Sequence, residues 1–345
     1  MNTAWQTFLT EQGARIEQGE VRDFGQATEE LAAALEGDVL CDLSHRALYL
    51  VSGTDSQTFL QGQLTNDIRQ VNPSRHQLSG YCTPKGRMLA LFRIFQRGDA
   101  YCLSCPMDVA EAAIKRLQMF VLRSQVGFKA AESLIGIGLS GPTSEQQLNH
   151  LLGALPAEPD EAVQHQEITV LRLAGKHPRF ELYGEVEAIQ TLWQKLAANS
   201  RAGGRAAWDL LAIHAAEPAV LLENREAFVP QMLNLQLING VNFKKGCYTG
   251  QEVVARMHYL GKLKRRMYLA HTDIETPIAA ATELESPQSA SGQGAGRVVM
   301  AAPNPHGGQD LLAVAEVSVA ESGQLFITDH SDRILQLLDM PYPFA

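Results

Sequence analysis

A chain of 345 residues with 45% hydrophobic and 19% charged residues has enough apolar material for two or three cores, which excludes disorder over most of its length. Its formal charge of −9 disfavours wholesale nucleic-acid binding, because neutralising phosphates needs a basic face, so direct nucleic-acid binding is not expected. No apolar run approaches the roughly 18 residues that cross a bilayer, and Glu11, Glu17, Glu20 and Asp23 argue against a leader segment. Five cysteines, an odd number, suit a reducing compartment, so a cytoplasmic protein without a membrane partner is expected.

Residues 1–36 show helical spacing, with Trp5, Phe8 and Leu9 and later Leu31 and Leu35, and predict two short accessory helices on the body. The texture then shortens. Residues 47–51 read as a strand, and 54–67 as a helix carrying Phe59, Leu60 and Leu64 on one face. Strands over 78–83 and 88–96 are joined by Pro84-Lys85-Gly86, whose proline and glycine suit a tight hairpin. A strand over 100–105 precedes a helix over 108–122, with Val109, Ala113, Leu117 and Phe120 as its buried stripe.

A similar succession recurs: strand 134–139, helix 144–155, strands 168–173 and 179–183, and helix 186–198. Two consecutive split β-α-β patterns predict a duplicated α+β core. A helix over 208–222 follows, ending near Pro218 or soon after it. From 267 onward the segments 267–270, 296–301, 311–319 and 324–327 are strand-like, with turns rich in Gly, Pro, Asn and Ser, which predicts a C-terminal β-barrel beginning close to 265. The expected organisation is accessory helices over 1–36, a first α+β unit over 37–130 with part of 205–265, a second over 131–204, and the barrel over 266–345.

Charge and chemistry concentrate between 244 and 266. Lys244, Lys245, Arg256, Lys262, Lys264, Arg265 and Arg266 stand there against the single acid Glu252, which is either a solvated helix face or a pocket for an anion. Thr249 with Glu252 three residues later has the spacing of a capping box, with Tyr248 and Val253 at the staple positions and Gly261 as a stop, predicting a helix over 250–260. Cys247 then lies just ahead of a helix N-terminus, where orphan N–H groups, the macrodipole and Lys244 and Lys245 favour a thiolate. That makes Cys247 the candidate nucleophile. The bland alternative is an inert cysteine beside an ordinary helix start.

The run Val241-Asn242-Phe243-Lys244-Lys245-Gly246-Cys247-Tyr248-Thr249-Gly250-Gln251-Glu252-Val253-Val254-Ala255-Arg256, with Phe228-Val229-Pro230-Gln231 and Asn234-Leu235 before it, resembles the signature of YgfZ-type folate-binding proteins. These belong to the superfamily of the glycine-cleavage T-protein, an aminomethyltransferase that works on tetrahydrofolate. The likeness continues through Gly53-Thr54-Asp55, the 59–67 segment and Pro84-Lys85-Gly86-Arg87-Met88. The resemblance implies a three-domain ring around a channel for tetrahydrofolate, and a role in assembling or maintaining iron–sulfur enzymes, tRNA-modifying ones included, as clients. It also implies that Cys247 and Lys245 form the functional pair, with Lys244, Tyr248, Gln251, Glu252, Arg256 and Asn234 around the folate. Two departures stand out. The acidic pair of the T-protein is matched by Leu89 and Ala90, which transfer no proton, and where relatives carry a carboxylate this chain has His214. The alternatives are a one-carbon transferase of T-protein type, or an RNA- or protein-binding module with no small molecule.

Weaker signals resolve toward structure. Cys102 and Cys105 have C-x-x-C spacing, but residues three apart in a strand face opposite sides, so neither redox work nor a metal site is expected. Cys41 and Cys82 have no partner at ligand spacing. Gly292-Gln293-Gly294-Ala295-Gly296 lacks the spacing and the following helix of a dinucleotide loop, and reads as a turn. A dyad of Asp42 and His45 is conceivable, with a cap or loop role favoured.

Overall fold

Asn2 starts the first helix by accepting the backbone N–H groups of Ala4 and Trp5 on its side chain, in the computed structural model that describes residues 1–289, 294–330 and 333–344. Helix α1 (Thr3–Glu11) buries Trp5, Phe8 and Leu9. Trp5 packs edge-on against Trp193 and donates its indole N–H to Asp42 at 2.7 Å. A hairpin of β1 (Arg15–Glu17) and β2 (Glu20–Asp23) turns at Gln18 and Gly19, both at positive φ, and α2 (Ala27–Glu36) follows. The N-terminal segment is therefore part of a core rather than an accessory, because its apolar side chains complete the cluster around Trp193.

The first sheet comprises β4 (Arg46–Ser52), β5 (Gln77–Cys82), β6 (Met88–Arg97), β7 (Ala100–Pro106) and β8 (Gly127–Ala130), in the order β5-β6-β7-β4-β8 and antiparallel throughout. Helices α3 (Ser56–Gln63) and α4 (Met107–Gln118) belong to this unit. Both end earlier than the periodicity suggests. Leu64 is already extended at the C-cap of α3, and Phe120 and Leu122 are exposed beyond α4 instead of completing its buried stripe.

The second sheet takes β3 (Val39–Asp42), β9 (Leu134–Ser140), β10 (Ala162–His165), β11 (Ile168–Leu173), β12 (Arg179–Glu185) and β13 (Arg201–Gly203), ordered β10-β11-β12-β9-β3-β13. Helices α5 (Ser144–Leu152) and α6 (Val186–Leu196) accompany it. Both units run strand, helix, three strands, helix, strand, and in both sheets the three consecutive strands lie beside the first; the second sheet additionally admits β3, to which β13 pairs in parallel. An ion-pair cluster joins the sheets. Arg93 of β6 meets Glu181 of β12 and Glu217, and Glu217 also takes Arg179.

Helix α7 (Arg205–His214) stops well short of residue 222, because Ala216 adopts φ +48° just before Pro218. After a 3-10 turn at Pro230–Leu233 comes α8 (Gln251–Leu260). The C-terminal strands are β14 (Arg265–Thr272), β15 (Glu283–Glu285), β16 (Gly296–Pro303), β17 (Gln309–Glu316), β18 (Phe326–Ile327) and β19 (Gln336–Leu338), with α9 (Val317–Ser322) occupying what reads in sequence as the end of a strand. They form an antiparallel sheet ordered β18-β15-β16-β17-β14-β19. It is a curled half-barrel rather than a closed barrel: its edge strands are two and three residues long, too short to pair into closure. The turn read over 292–296 includes Gly292 and Gln293, which lie outside the described residues. The result is a mixed α+β protein, and no helix among the described residues is long and apolar enough to cross a membrane.

One apolar cluster ties the pieces together. Leu78 and Met88 from the first sheet, Ile213 from α7, and Leu269 and Leu312 from the half-barrel meet Tyr248 and Val254. The candidate segment is thus anchored where the sheets converge.

Candidate functional site

The segment before α8 is zipped onto the end of α3. The Thr65 hydroxyl donates to the carbonyl of Gly240, the N–H of Asn242 donates to the carbonyl of Thr65, and that of Thr249 donates to the carbonyl of Gly62 at 3.3 Å. Lys245 completes the attachment. Its buried ammonium donates to the carbonyls of Gln61, Leu64 and Asn66 at 2.8, 2.6 and 2.8 Å and lies 5.1 Å from the centre of the Tyr248 ring. Burial pulls its pKa down to about 8, which leaves it charged at neutral pH. All three N–H donors are used, so Lys245 has none left for a ligand.

Tyr248 is likewise buried, and burial raises its hydroxyl's pKa. Between these two anchors Gly246 and Cys247 are turned outward, and Cys247 is exposed while the other four cysteines are buried. Burial pushes the thiols of Cys82, Cys102 and Cys105 up to about 12, and raises that of Cys41. Cys102 and Cys105 sit in different apolar clusters, on opposite faces of β7 as strand geometry requires.

The helix does not begin with a capping box. Gly250 is the N-cap at φ +87°, with no side-chain cap, because the chain must pass close to the hairpin after β5. A Cβ at Gly250 would lie 2.5 Å from the Thr83 carbonyl oxygen and about as close to Gly86 as atoms can approach. Gly86 itself takes φ +71° and faces Val253 of α8. Gln251 is half-buried, Lys244, Glu252 and Arg256 are exposed, and Gly261 ends the helix in an extended rather than left-handed conformation.

Two expected site residues fall elsewhere. Asn234, fully buried, donates to the Met267 carbonyl at 2.9 Å and to the Tyr342 hydroxyl, so its amide N–H groups fasten β14 and the C-terminal tail. The Nε2–H of His214 donates to Asp310, 2.7 Å away, whose other oxygen accepts from His271 at 2.7 Å. Asn304 also donates to Asp310, and these partners hold the carboxylate below its usual range against the opposing cost of burial. The surrounding cavity of about 430 Å³ joins α7 to the half-barrel, and no hydrogen bond links it to the cysteine loop among the described residues. Asp42 and His45 form no dyad: the carboxylate is taken by Trp5 and Ser44.

A larger cleft, about 800 Å³, lies at the C-terminal end of α8. Arg87, Lys262, Lys264, Arg265 and Arg297 line it together with Glu226 and Glu283, the latter paired with Arg297, and with the apolar side chains of Phe228 and Met257. The sequence marks Lys262 and Lys264 through the basic run, but Arg87 and Arg297 come from distant hairpins; Arg87 is held by donating to the Ala227 carbonyl at 2.7 Å. Five cations against two carboxylates, beside apolar side chains, suit an anion with an apolar body. Leu89 and Ala90 are buried in the first core and offer no acid–base group.

Residues 8–242 match the GCVT N-terminal domain family. Two proteins named tRNA-modifying protein YgfZ are similar over nearly their full length: that of Colwellia psychrerythraea is 30% identical, covering 90% of this chain and 95% of that one. That of Yersinia enterocolitica is 30% identical over 88% and 92%. The glycine cleavage system aminomethyltransferase T of Bartonella henselae has the same fold, with a TM-score of 0.78 over 98% of this chain and 96% of that one at 17% identity. The fold is thus that of the aminomethyltransferase T class. Within it, the chain belongs to the YgfZ family.

Proposed function

We propose that this protein binds tetrahydrofolate and serves as an accessory factor for iron–sulfur enzymes, those that modify tRNA included, acting through Cys247. The names of its relatives support the connection with tRNA modification. The observation that carries the reading is an exposed cysteine in the loop that leads into α8, with a cleft in which cations outnumber carboxylates beyond the helix's other end. On this reading the two like-ordered units and the half-barrel make a ring in which the folate lies, its carboxylate tail toward Lys262, Lys264 and Arg87. Tetrahydrofolate would supply a one-carbon carrier there. The chain's own residues orient it: apolar side chains against the ring system, cations against the tail, and Cys247 presented by a loop that Lys245 locks in place.

Aminomethyl transfer of T-protein type is disfavoured, because Leu89 and Ala90 can neither take nor give a proton. Calorimetric titration with tetrahydrofolate tests the ligand, and complementation of a null strain by Cys247→Ala tests the cysteine. Saturable folate binding by both proteins with loss of complementation by the variant is expected. Absence of binding removes the folate, and full complementation removes the cysteine.

A further inference from the structure

Helix α8 has ten residues and buries only Val254. A surface helix normally hides a stripe of its side chains, yet here Tyr259 is 64% exposed and Leu260 85%. Beside them Phe243 and His258 stack face to face, centroids 3.7 Å apart and planes 10° from parallel, with Tyr259 standing edge-on to both. His258 is itself exposed, so the stack is open on its outer side.

Cations flank these rings along the chain. Lys244, Arg256, Lys262 and Lys264 are exposed, and among the described residues none of them pairs with a carboxylate; Lys262 and Lys264 stand at the rim of the cleft, where Arg265 and Arg297 are taken by Glu316 and Glu283. Flat apolar faces set among unpaired cations are the recognition chemistry of a single strand of nucleic acid, whose phosphates meet the cations while its unpaired bases continue the stack. A duplex would hide those base faces. The overall acidity of the chain does not oppose this, because screening confines charge effects to roughly 10 Å at 0.1 M salt and the positive charge is local.

We propose that the outer face of α8, with Phe243, His258 and Tyr259 as stacking platform and Lys244, Arg256, Lys262 and Lys264 as phosphate contacts, binds a single-stranded RNA segment. The inference rests on the reading that the protein acts in RNA modification, and it places the strand next to Cys247.

Fluorescence anisotropy of labelled oligouridylate and oligoadenylate with the full chain tests this. Four phosphate contacts predict a log–log salt slope of about −3. Removing the stack with the double variant His258→Ala, Tyr259→Ala should weaken binding by about fivefold or more, while Tyr259→Phe leaves it intact. Lys262→Glu with Lys264→Glu should weaken it further and flatten the slope. No saturable binding at low salt, equal affinity for a duplex of the same length, or indifference to the double variant overturns the proposal. Tighter binding of polyglutamate than of RNA overturns it in favour of an acidic protein partner. Calorimetry with tetrahydrofolate on the parent and on His258→Ala, Tyr259→Ala, which keeps Lys262 and Lys264 of the cleft, separates the two readings: folate binding that persists while RNA binding is absent removes only the platform, and the converse removes only the folate.

Discussion

Lys245 and Cys247 are two residues apart and face opposite ways, the ammonium buried on three backbone carbonyls and the thiol turned to solvent. Replacing Lys245 by Met keeps the stem and strips the carbonyls of Gln61, Leu64 and Asn66 of their donor. Hydrogen bonds from a charged donor contribute about 1.5–3 kcal/mol each, and unpaired buried acceptors add to the loss, so a destabilisation of about 3 kcal/mol or more is expected. Urea unfolding measures it. A Lys245→Met protein as stable as the parent but inactive in cells would return Lys245 to a chemical role.

The same arrangement predicts selective chemistry at sulfur. The native protein should take up one equivalent of an alkylating reagent, all of it at Cys247, because the other four thiols are buried and held protonated. Cys247→Ser should take up none until urea unfolds it. Mass spectrometry of peptides from a timed reaction decides, and early labelling of Cys82 or Cys105 would contradict the packing described above.

Local rules worked where the determining contacts are local. Strand period alone separated Cys102 from Cys105, and the long run around Cys247 marked the segment that carries the exposed thiol. They failed where a distant contact decides. Thr249 has the spacing of a cap, but the backbone there is set by Gly250 passing against Thr83 and Gly86, far away in sequence. The donors of Asn234 serve β14, and Trp5, in a segment whose spacing reads as accessory, closes a core with Asp42 and Trp193. Lys245 could not be told from a catalytic lysine by sequence, because its three acceptors are main-chain atoms that any residue supplies. The half-barrel's curl was legible in its turn-rich texture; its failure to close depends on edge strands too short to register as periodic.

Acid should unfold the protein in two overlapping steps. Burial, with Arg93 close by, pushes the His76 pKa from 6.5 down to about 4, so the unfolded chain binds a proton that the folded one refuses. Stability therefore falls as pH drops from about 6.5 to 4, by about 3 kcal/mol at most. Glu217 works lower. Burial pushes its pKa up, but Arg93 and Arg179 win and hold it at about 2 against 4.5 in the unfolded chain, so its contribution is complete above 4.5 and lost toward 2. Burial also holds His45 well below its ordinary value, so His76→Gln should reduce the upper step without abolishing it, in a series of urea midpoints against pH, while leaving the lower one. An unchanged slope between pH 6.5 and 4.5 would show that His76 is not the group titrating there.

Gly250 is the residue on which the cysteine loop and α8 both turn, and Gly250→Ala tests whether their geometry is fixed by this one contact. The methyl group would meet the Thr83 carbonyl oxygen at 2.5 Å, and φ +87° disfavours any L side chain. Neither strain relaxes without moving the hairpin after β5 or pulling the loop off α3. Left-handed strain alone costs about 1–2 kcal/mol, and a backbone clash adds to it, so destabilisation of about 3 kcal/mol is expected. Because Lys245, Tyr248 and Val254 lie on either side of this turn, the lost contacts should also show as faster hydrogen exchange at Leu64, Thr65 and Asn242. An alanine variant of normal stability with unaltered exchange would mean that the loop reaches its place by another route, and the glycine would lose its part in presenting Cys247.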